Sequence, residues 1–204
     1  MSIVNPFDSK AAEWDDNPAR REMNRAVAAA IRDVVPLDLS MFAMDFGCGT
    51  GLVSRELFPS LGKITAVDQS SGMIEELEKR LEDQQVGNIS VRCLDLFTDP
   101  MAEQFDLIYS VMALHHVQET DRLLDLLTEL LRPGGWIALA DLDAEDGSFH
   151  QDVEGFVHHG FDREELMKSL ELRGFCTCSC KTAHTIEKET GSYPIFLFTA
   201  QLSV

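Results

Sequence analysis

Ala43-Met44-Asp45-Phe46-Gly47-Cys48-Gly49-Thr50-Gly51 decides how this chain is read. The run from Leu39 to Phe46 has the length and apolar character of a buried strand, and the glycines behind it force a turn into the helical pattern that starts at Leu52. Without a Cβ, a glycine reaches φ > 0 and lets a ligand approach the backbone, while the free N–H groups of the next helix point at whatever lies above the strand. Such a loop holds a nucleotide-like molecule at the carboxyl edge of a parallel sheet. Its spacing excludes two common versions. A dinucleotide site needs G-x-G-x-x-G, whose third glycine would fall at Leu52, and here it comes one residue early, at Gly51. No Lys-Ser or Lys-Thr follows to make a nucleoside-triphosphate cradle.

Working outward, Lys63 to Val67 reads as the second strand, with Asp68 at its end. A carboxylate about 20 residues beyond a glycine loop accepts from both ribose hydroxyls in nucleotide-binding βαβ units. The alternative is that Asp68 caps the helix starting near Ser70 or Ser71. That helix, Gly72 to Gln85, turns Ile74, Leu77 and Leu81 inward and its Glu and Lys residues to solvent. Further strands follow at Ile89–Cys93 and Phe105–Ser110, then an amphipathic helix over Asp121–Leu131, a turn at Arg132–Gly135 and a strand at Trp136–Asp141. A helix capped by Asp162 runs to Arg173, and strands at Phe175–Thr182 and Tyr193–Leu202 close the chain as a hairpin. Ahead of the loop, Phe7–Trp14 reads as a short helix, and Asn17-Pro18 opens a longer one that ends before Pro36.

Asp45-x-Gly47-x-Gly49-x-Gly51 resembles the cofactor loop of the class I S-adenosylmethionine-dependent methyltransferases, and three further stretches agree with it in order. Phe7-Asp8-x-x-Ala11-x-x-Trp14-Asp15 resembles the opening of the small-molecule methylases related to the ubiquinone and menaquinone enzymes. Ser110-Val111-Met112-Ala113-Leu114-His115-His116 resembles their S-x-x-x-L-H-H stretch, and Leu131-Arg132-Pro133-Gly134-Gly135 the L-x-P-G-G turn before the fifth strand. The resemblance covers about Phe7 to Leu202. It implies one Rossmann-like domain, a three-layer αβα sandwich around a seven-stranded, mostly parallel sheet whose last strand is antiparallel. Residues 1–36 would form a helical cap, 37–143 the cofactor-binding half, and 144–204 a substrate loop, helix and terminal hairpin.

The cofactor implied is S-adenosylmethionine, with S-adenosylhomocysteine as product. By resemblance, Asp45, Gly47, Cys48, Gly49 and Gly51 cradle it, and Gln69 and Met73 flank the adenosine that Asp68 holds. Asp95 accepts from the adenine amino group, Leu96 packs on the ring, and Ser110 completes the set. Trp14 belongs to a segment that shapes the substrate chamber, together with His115, Asp141 and His150. Methyl transfer needs positioning above all, with a base only where the acceptor must lose a proton; His115 and His116 are the first candidates and His150 the next.

Metal ligation by the histidine pair is disfavoured, because sequence neighbours point apart and no Glu-x-x-His or Cys partner accompanies them. The acidic loop Asp141–Gly160 carries Asp143, Glu145, Asp146, His150, His158 and His159, whose spacing matches no ligand motif, so a substrate lid is expected and no metal. Cys176, Cys178 and Cys180 fall on one strand face by period two and are expected to pack in the core, reduced.

The chain's 204 residues suit one domain. Its net charge of −18 repels phosphate backbones and anionic headgroups, so neither nucleic acid nor membrane is an expected partner. No signal-peptide-like run opens the sequence and no segment nears the ~18 apolar residues of a membrane span, which predicts a cytoplasmic monomer or homodimer acting on a small-molecule acceptor. A nicotinamide-dependent oxidoreductase and a catalytically silent cofactor binder are the rival readings; the early third glycine and the final hairpin argue against the first.

Overall fold

The computed structural model describes residues 5–149 and 157–204. Seven strands form one sheet in the order β3-β2-β1-β4-β5-β7-β6. They are β1 (Phe42–Phe46), β2 (Lys63–Asp68), β3 (Ile89–Cys93), β4 (Phe105–Val111), β5 (Leu131–Leu142), β6 (Phe175–Lys188) and β7 (Gly191–Leu202). Neighbours from β3 to β5 pair in parallel, and β7 runs antiparallel between β5 and β6. The expected sheet is therefore present. The chain order reverses beside β1, so the loop after that strand opens at a crevice of the sheet's carboxyl edge.

Period-two alternation splits the core between the two faces. Ala43, Leu107 and Tyr109 join one cluster with Met23, Val27 and Ile31 of α1 (Pro18–Val34), Leu57 of α2 (Ser54–Leu57) and Leu77 of α3 (Ser71–Asp83). Met44 and Ile108 join the other, with Leu123 and Leu127 of α4 (Thr120–Leu130) and Leu166 and Leu170 of α5 (Arg163–Leu172). Asn17 caps α1 by accepting from the Ala19 and Arg20 amides, and Asp162 caps α5 in the same way.

Several boundaries differ from the sequence reading. Phe7–Trp14 is not one helix but part of two 3-10 turns, Asp8–Lys10 and Trp14–Asp16, because its polar side chains bond to other parts of the protein. The helical pattern expected from Leu52 is reduced to α2 and a 3-10 turn at Phe58–Ser60, since Pro59 has no amide to continue the ladder. The turn Arg132–Gly135 belongs to the opening of β5, where the register with β4 shifts between Phe105 and Leu107. Strands β6 and β7 both extend past their expected ends toward a two-residue turn at Glu189-Thr190.

The three cysteines do not share a face. A bulge between Cys176 and Ser179, with Thr177 at φ 53°, inserts a residue opposite β7 and inverts the alternation. Cys178 and Cys180 pack on the second core cluster, whereas Cys176 is exposed.

Candidate active site

The glycine loop is stitched to the end of β2. Gly47 and Cys48 both donate to the Val67 carbonyl, at 2.9 and 3.0 Å, and Gly49 donates to Asp68 Oδ2 at 2.8 Å. All three glycines have positive φ, but they serve different ends. A Cβ on Gly47 would lie 2.4 Å from Ala113 Cβ, and one on Gly51 would lie 2.4 Å from Leu77 Cδ1, so these two exist for internal packing. At Gly49 a Cβ would meet nothing within 4 Å: this is the residue that fronts open space.

That space is a cavity of about 490 Å³. Of the residues named from sequence, it brings together Gly47, Cys48, Gly49, Asp68, Gln69, Met73, Trp14, His115 and His116. Asp68 receives the Gly49 amide on one oxygen and the Ser70 amide, at 2.9 Å, on the other. Each oxygen keeps a lone-pair direction for a further donor. Ser70, not Asp68, caps α3 by accepting from the Met73 amide. Burial pushes the Asp68 carboxyl above its ordinary range, while bonds from the Ser70 and Gly49 amides oppose the shift.

Other expected residues lie elsewhere. Asp45 is buried beneath the loop, where its carboxylate accepts from Ser54 Oγ at 2.7 Å and Ser54 in turn meets the Tyr109 hydroxyl at 2.8 Å. Burial pushes this carboxyl up to about 7, the Ser54 bond opposes, and the neighbouring Asp68 adds to the rise. Ser110 is fully buried with an unpartnered hydroxyl, among the described atoms, and does not line the cavity. Asp95 turns back to accept from the Phe97 amide, and Leu96 points into the core, leaving Leu94 on the cavity wall. Neither Asp95 nor Leu96 lines the cavity as expected; Leu94, just past the end of β3, does. His150 lies outside the described residues, as does part of the expected lid.

At the end of β5, Asp141 meets His115 Nδ1 at 2.6 Å and also accepts from the His115 and Leu142 amides. Both side chains are buried, but His115 reaches the cavity wall. Asp141 does not line the cavity itself; it acts through the imidazole. His116 tilts against His115 with ring centroids 4.0 Å apart, and Phe7 stands edge-on to both His116 and Trp14 at 5.0 and 5.8 Å. His158 serves a structural purpose, bonding Val117 O and Thr120.

The N-terminal segment closes one side of the chamber. Asp8 accepts from Ser70 Oγ at 2.6 Å and the Gly72 amide at 3.1 Å, and a Cβ on Gly72 would lie 2.7 Å from the Asp8 carbonyl. Asp15 binds Thr50, Arg55 and Arg80. Sequence reasoning missed Arg20, whose guanidinium stands 3.7 Å from the Trp14 ring centroid, and Phe149, Ile186 and Lys188, which reach the cavity from beyond β5. Only the unexpected length of β6 brings the last two there.

Among the described residues no group of three or more His, Cys, Asp and Glu side chains could hold a metal ion. Asp143 is occupied by Arg163 at 2.6 and 2.7 Å, and Glu145 folds onto the Gly147 and Phe149 amides. No described helix is long and apolar enough to cross a membrane.

Sheet order, terminal hairpin and a glycine loop facing a carboxylate define a methyltransferase domain, and residues 43–135 match the family model of that description. Residues 43–135 are thus a methyltransferase domain, and the chain is similar beyond them to proteins named methyltransferases. An uncharacterized methyltransferase of Schizosaccharomyces pombe is 30% identical over 188 residues, covering 78% of this chain and 66% of that one. A ubiquinone biosynthesis O-methyltransferase of Coxiella burnetii is 34% identical over 93 residues, 45% of this chain and 39% of the relative. The chain thus spans two thirds or less of the length of these relatives. In fold it matches a Haloferax volcanii methyltransferase described in complex with the Trm112 activator, with a TM-score of 0.83, 15% identity and full coverage of both chains. A Haemonchus contortus phosphoethanolamine N-methyltransferase gives a TM-score of 0.74 at 15% identity over 87% of this chain and 52% of the other.

Proposed function

We propose that this protein transfers a methyl group from S-adenosylmethionine to a small-molecule acceptor by in-line displacement. The observation that carries the reading is one continuous cavity joining the Gly49 and Asp68 end to a chamber walled by Phe7, Trp14 and the two histidines. The residues suit the cofactor: Gly49 offers open space where a side chain would intrude, and Asp68 has acceptor capacity left for two ribose hydroxyls. Gln69, Met73 and Leu94 would bound the nucleoside.

When bound, the cofactor supplies a methyl group already activated on a sulfonium. The protein's share is to hold the acceptor in line, to exclude water and, for a hydroxyl acceptor, to take its proton. Phe7 and Trp14 on the pinned N-terminal segment cover the chamber. A carboxylate only accepts, so His115 carries its ring proton on Nδ1 toward Asp141, and the ring held in this way at the cavity wall is the group assigned to take the acceptor's proton. The relative named as an O-methyltransferase favours such an acceptor. The acidic surface favours a small molecule over nucleic acid, and we place the protein in the cytoplasm as a monomer or homodimer.

Calorimetry with S-adenosylmethionine and S-adenosylhomocysteine, followed by an assay for S-adenosylhomocysteine formed over a panel of phenols, amines and thiols, tests the reading. Binding plus turnover of one acceptor class supports it. Binding without turnover of any panel member favours the silent cofactor binder, and absence of binding removes the reading altogether.

A further inference from the structure

The charge of the cavity wall runs against that of the protein. The chain carries 35 acidic and 17 basic side chains. Eleven of those cations make ion pairs with carboxylates among the described residues. Of the remainder, Lys10, Arg20 and Lys188 line the cavity, where Asp68 is the sole carboxylate among the described lining residues. A bound S-adenosylmethionine does not correct this excess, because its carboxylate is outweighed by its ammonium and sulfonium.

Lys188 is the most telling of the three. Its ammonium stands 3.6 Å from the Phe149 ring centroid and donates to the Phe149 carbonyl at 2.7 Å. One of three donors is used, and the position of the charge is fixed by an aromatic face and a carbonyl. Glu145 acts on it only from longer range, its own carboxylate being bonded to the Gly147 and Phe149 amides. In the sheet, β6 lies four strands from β1, a separation of about 19 Å at ordinary strand spacing. Lys188 thus stands at the end of the cavity remote from the nucleoside, where an acceptor enters.

We propose that the acceptor is an organic acid whose carboxylate or phosphate is held by Lys188, with its apolar body against Phe149 and Ile186. The inference rests on the methyltransferase reading above and narrows its substrate. An anion there completes the donors of Lys188 and lowers the positive excess of a cofactor-loaded chamber.

Benzoate, benzamide and phenyl phosphate, titrated into protein saturated with S-adenosylhomocysteine, test it without needing the true acceptor. At least one acid should bind tenfold or more tightly than the amide. That ratio should fall to near one in Lys188→Gln and persist in Lys188→Arg, while affinity for S-adenosylhomocysteine stays within twofold. The tighter of the two acids identifies the acid group. No acid preference in the wild-type protein, including no binding of any probe, overturns the proposal, as does a preference that survives Lys188→Gln. Failure to take up S-adenosylhomocysteine is a separate result and removes the methyltransferase reading along with it.

Discussion

His115 and Asp141 form a buried dyad, with Nδ1 and Oδ1 2.6 Å apart and two backbone amides, those of His115 and Leu142, converging on the same carboxylate. Asp141 stands at the end of β5 and His115 in the 3-10 turn Leu114–His116 that follows β4, its neighbour in the sheet. The arrangement fixes the imidazole's orientation before any ligand arrives. It also separates two roles that the sequence reading merged: Asp141 positions the ring, and the ring faces the chamber.

Asp141→Asn tests that division. An asparagine offers one acceptor oxygen to three donors, so the ring loses its defined tautomer and tilt. For an acceptor that must lose a proton, kcat should fall by about 10²- to 10⁴-fold, while the cofactor dissociation constant moves less than twofold. His115→Gln should lower kcat on the same scale without weakening cofactor binding. An unchanged kcat in both variants would place proton removal elsewhere.

Asp68→Ala addresses the other end of the cavity. The carboxylate both braces the Gly49 amide and, in the proposed complex, accepts from ribose hydroxyls. Cofactor affinity should drop by about 10- to 100-fold, the scale of one or two charge-assisted hydrogen bonds. Calorimetry measures this directly, and the melting temperature without ligand separates loop damage from lost ligand contact. A dissociation constant equal to that of the wild type would take Asp68 out of the site.

The fold was legible because its signals are local and periodic. The Ala43–Gly51 stretch, the Asn17-Pro18 cap and the alternating strands each depend on neighbours in sequence, and each is present, although the first strand starts at Phe42 and not Leu39 and the last three are longer than expected. The site was legible only in part. Gly49, Asp68 and the histidines announce themselves by residue type at strand ends, whereas Lys188 reaches the chamber through the length of β6, a property of its pairing with β7 that no local pattern records. Asp95 and Leu96 show the opposite: the resemblance supplies a role, but a bond from the Phe97 amide turns Asp95 back and core packing takes Leu96, so neither lines the cavity. The cysteine stripe fails because one inserted residue at Thr177 inverts everything before it.

Asp45 gives a prediction about pH and stability. Its folded pKa of about 7 lies above the ordinary carboxylate value, with burial as the main cause. A raised folded pKa means that its contribution is fully present below the unfolded pKa and is lost as pH rises through the folded one. Between about pH 4 and pH 7.5 the wild type should therefore lose on the order of a few kcal/mol of stability from this group. Asp45→Asn keeps an oxygen for Ser54 Oγ and removes the titration, so its denaturation free energy should be flatter over that interval. Urea titrations at several pH values on both proteins provide the comparison; parallel pH dependences would show that Asp45 titrates normally.

Asp15 is the point at which the N-terminal segment is fastened, because one carboxylate serves Thr50 beside the glycine loop, Arg55 on α2 and Arg80 on α3. All three ionic partners are mostly buried, with side-chain exposures of 15, 16 and 19% for Asp15, Arg55 and Arg80, so the contacts are weakly screened. Arg55 Nε and Arg80 Nη1 already lack partners among the described atoms, and removing the carboxylate leaves Arg55 without its ion pair and Arg80 with only Glu76 at 3.6 Å. Asp15→Ala should cost about 1–3 kcal/mol of stability, most of it through local release of the segment that carries Phe7, Lys10 and Trp14. Trypsin should then cut after Lys10 or Arg20 several-fold faster than in the wild type, before any cleavage in the sheet. Saturation with cofactor product and acceptor should slow that cut if the segment closes over them, and a cleavage rate indifferent to both ligands would mean that the segment packs beside the chamber without covering it.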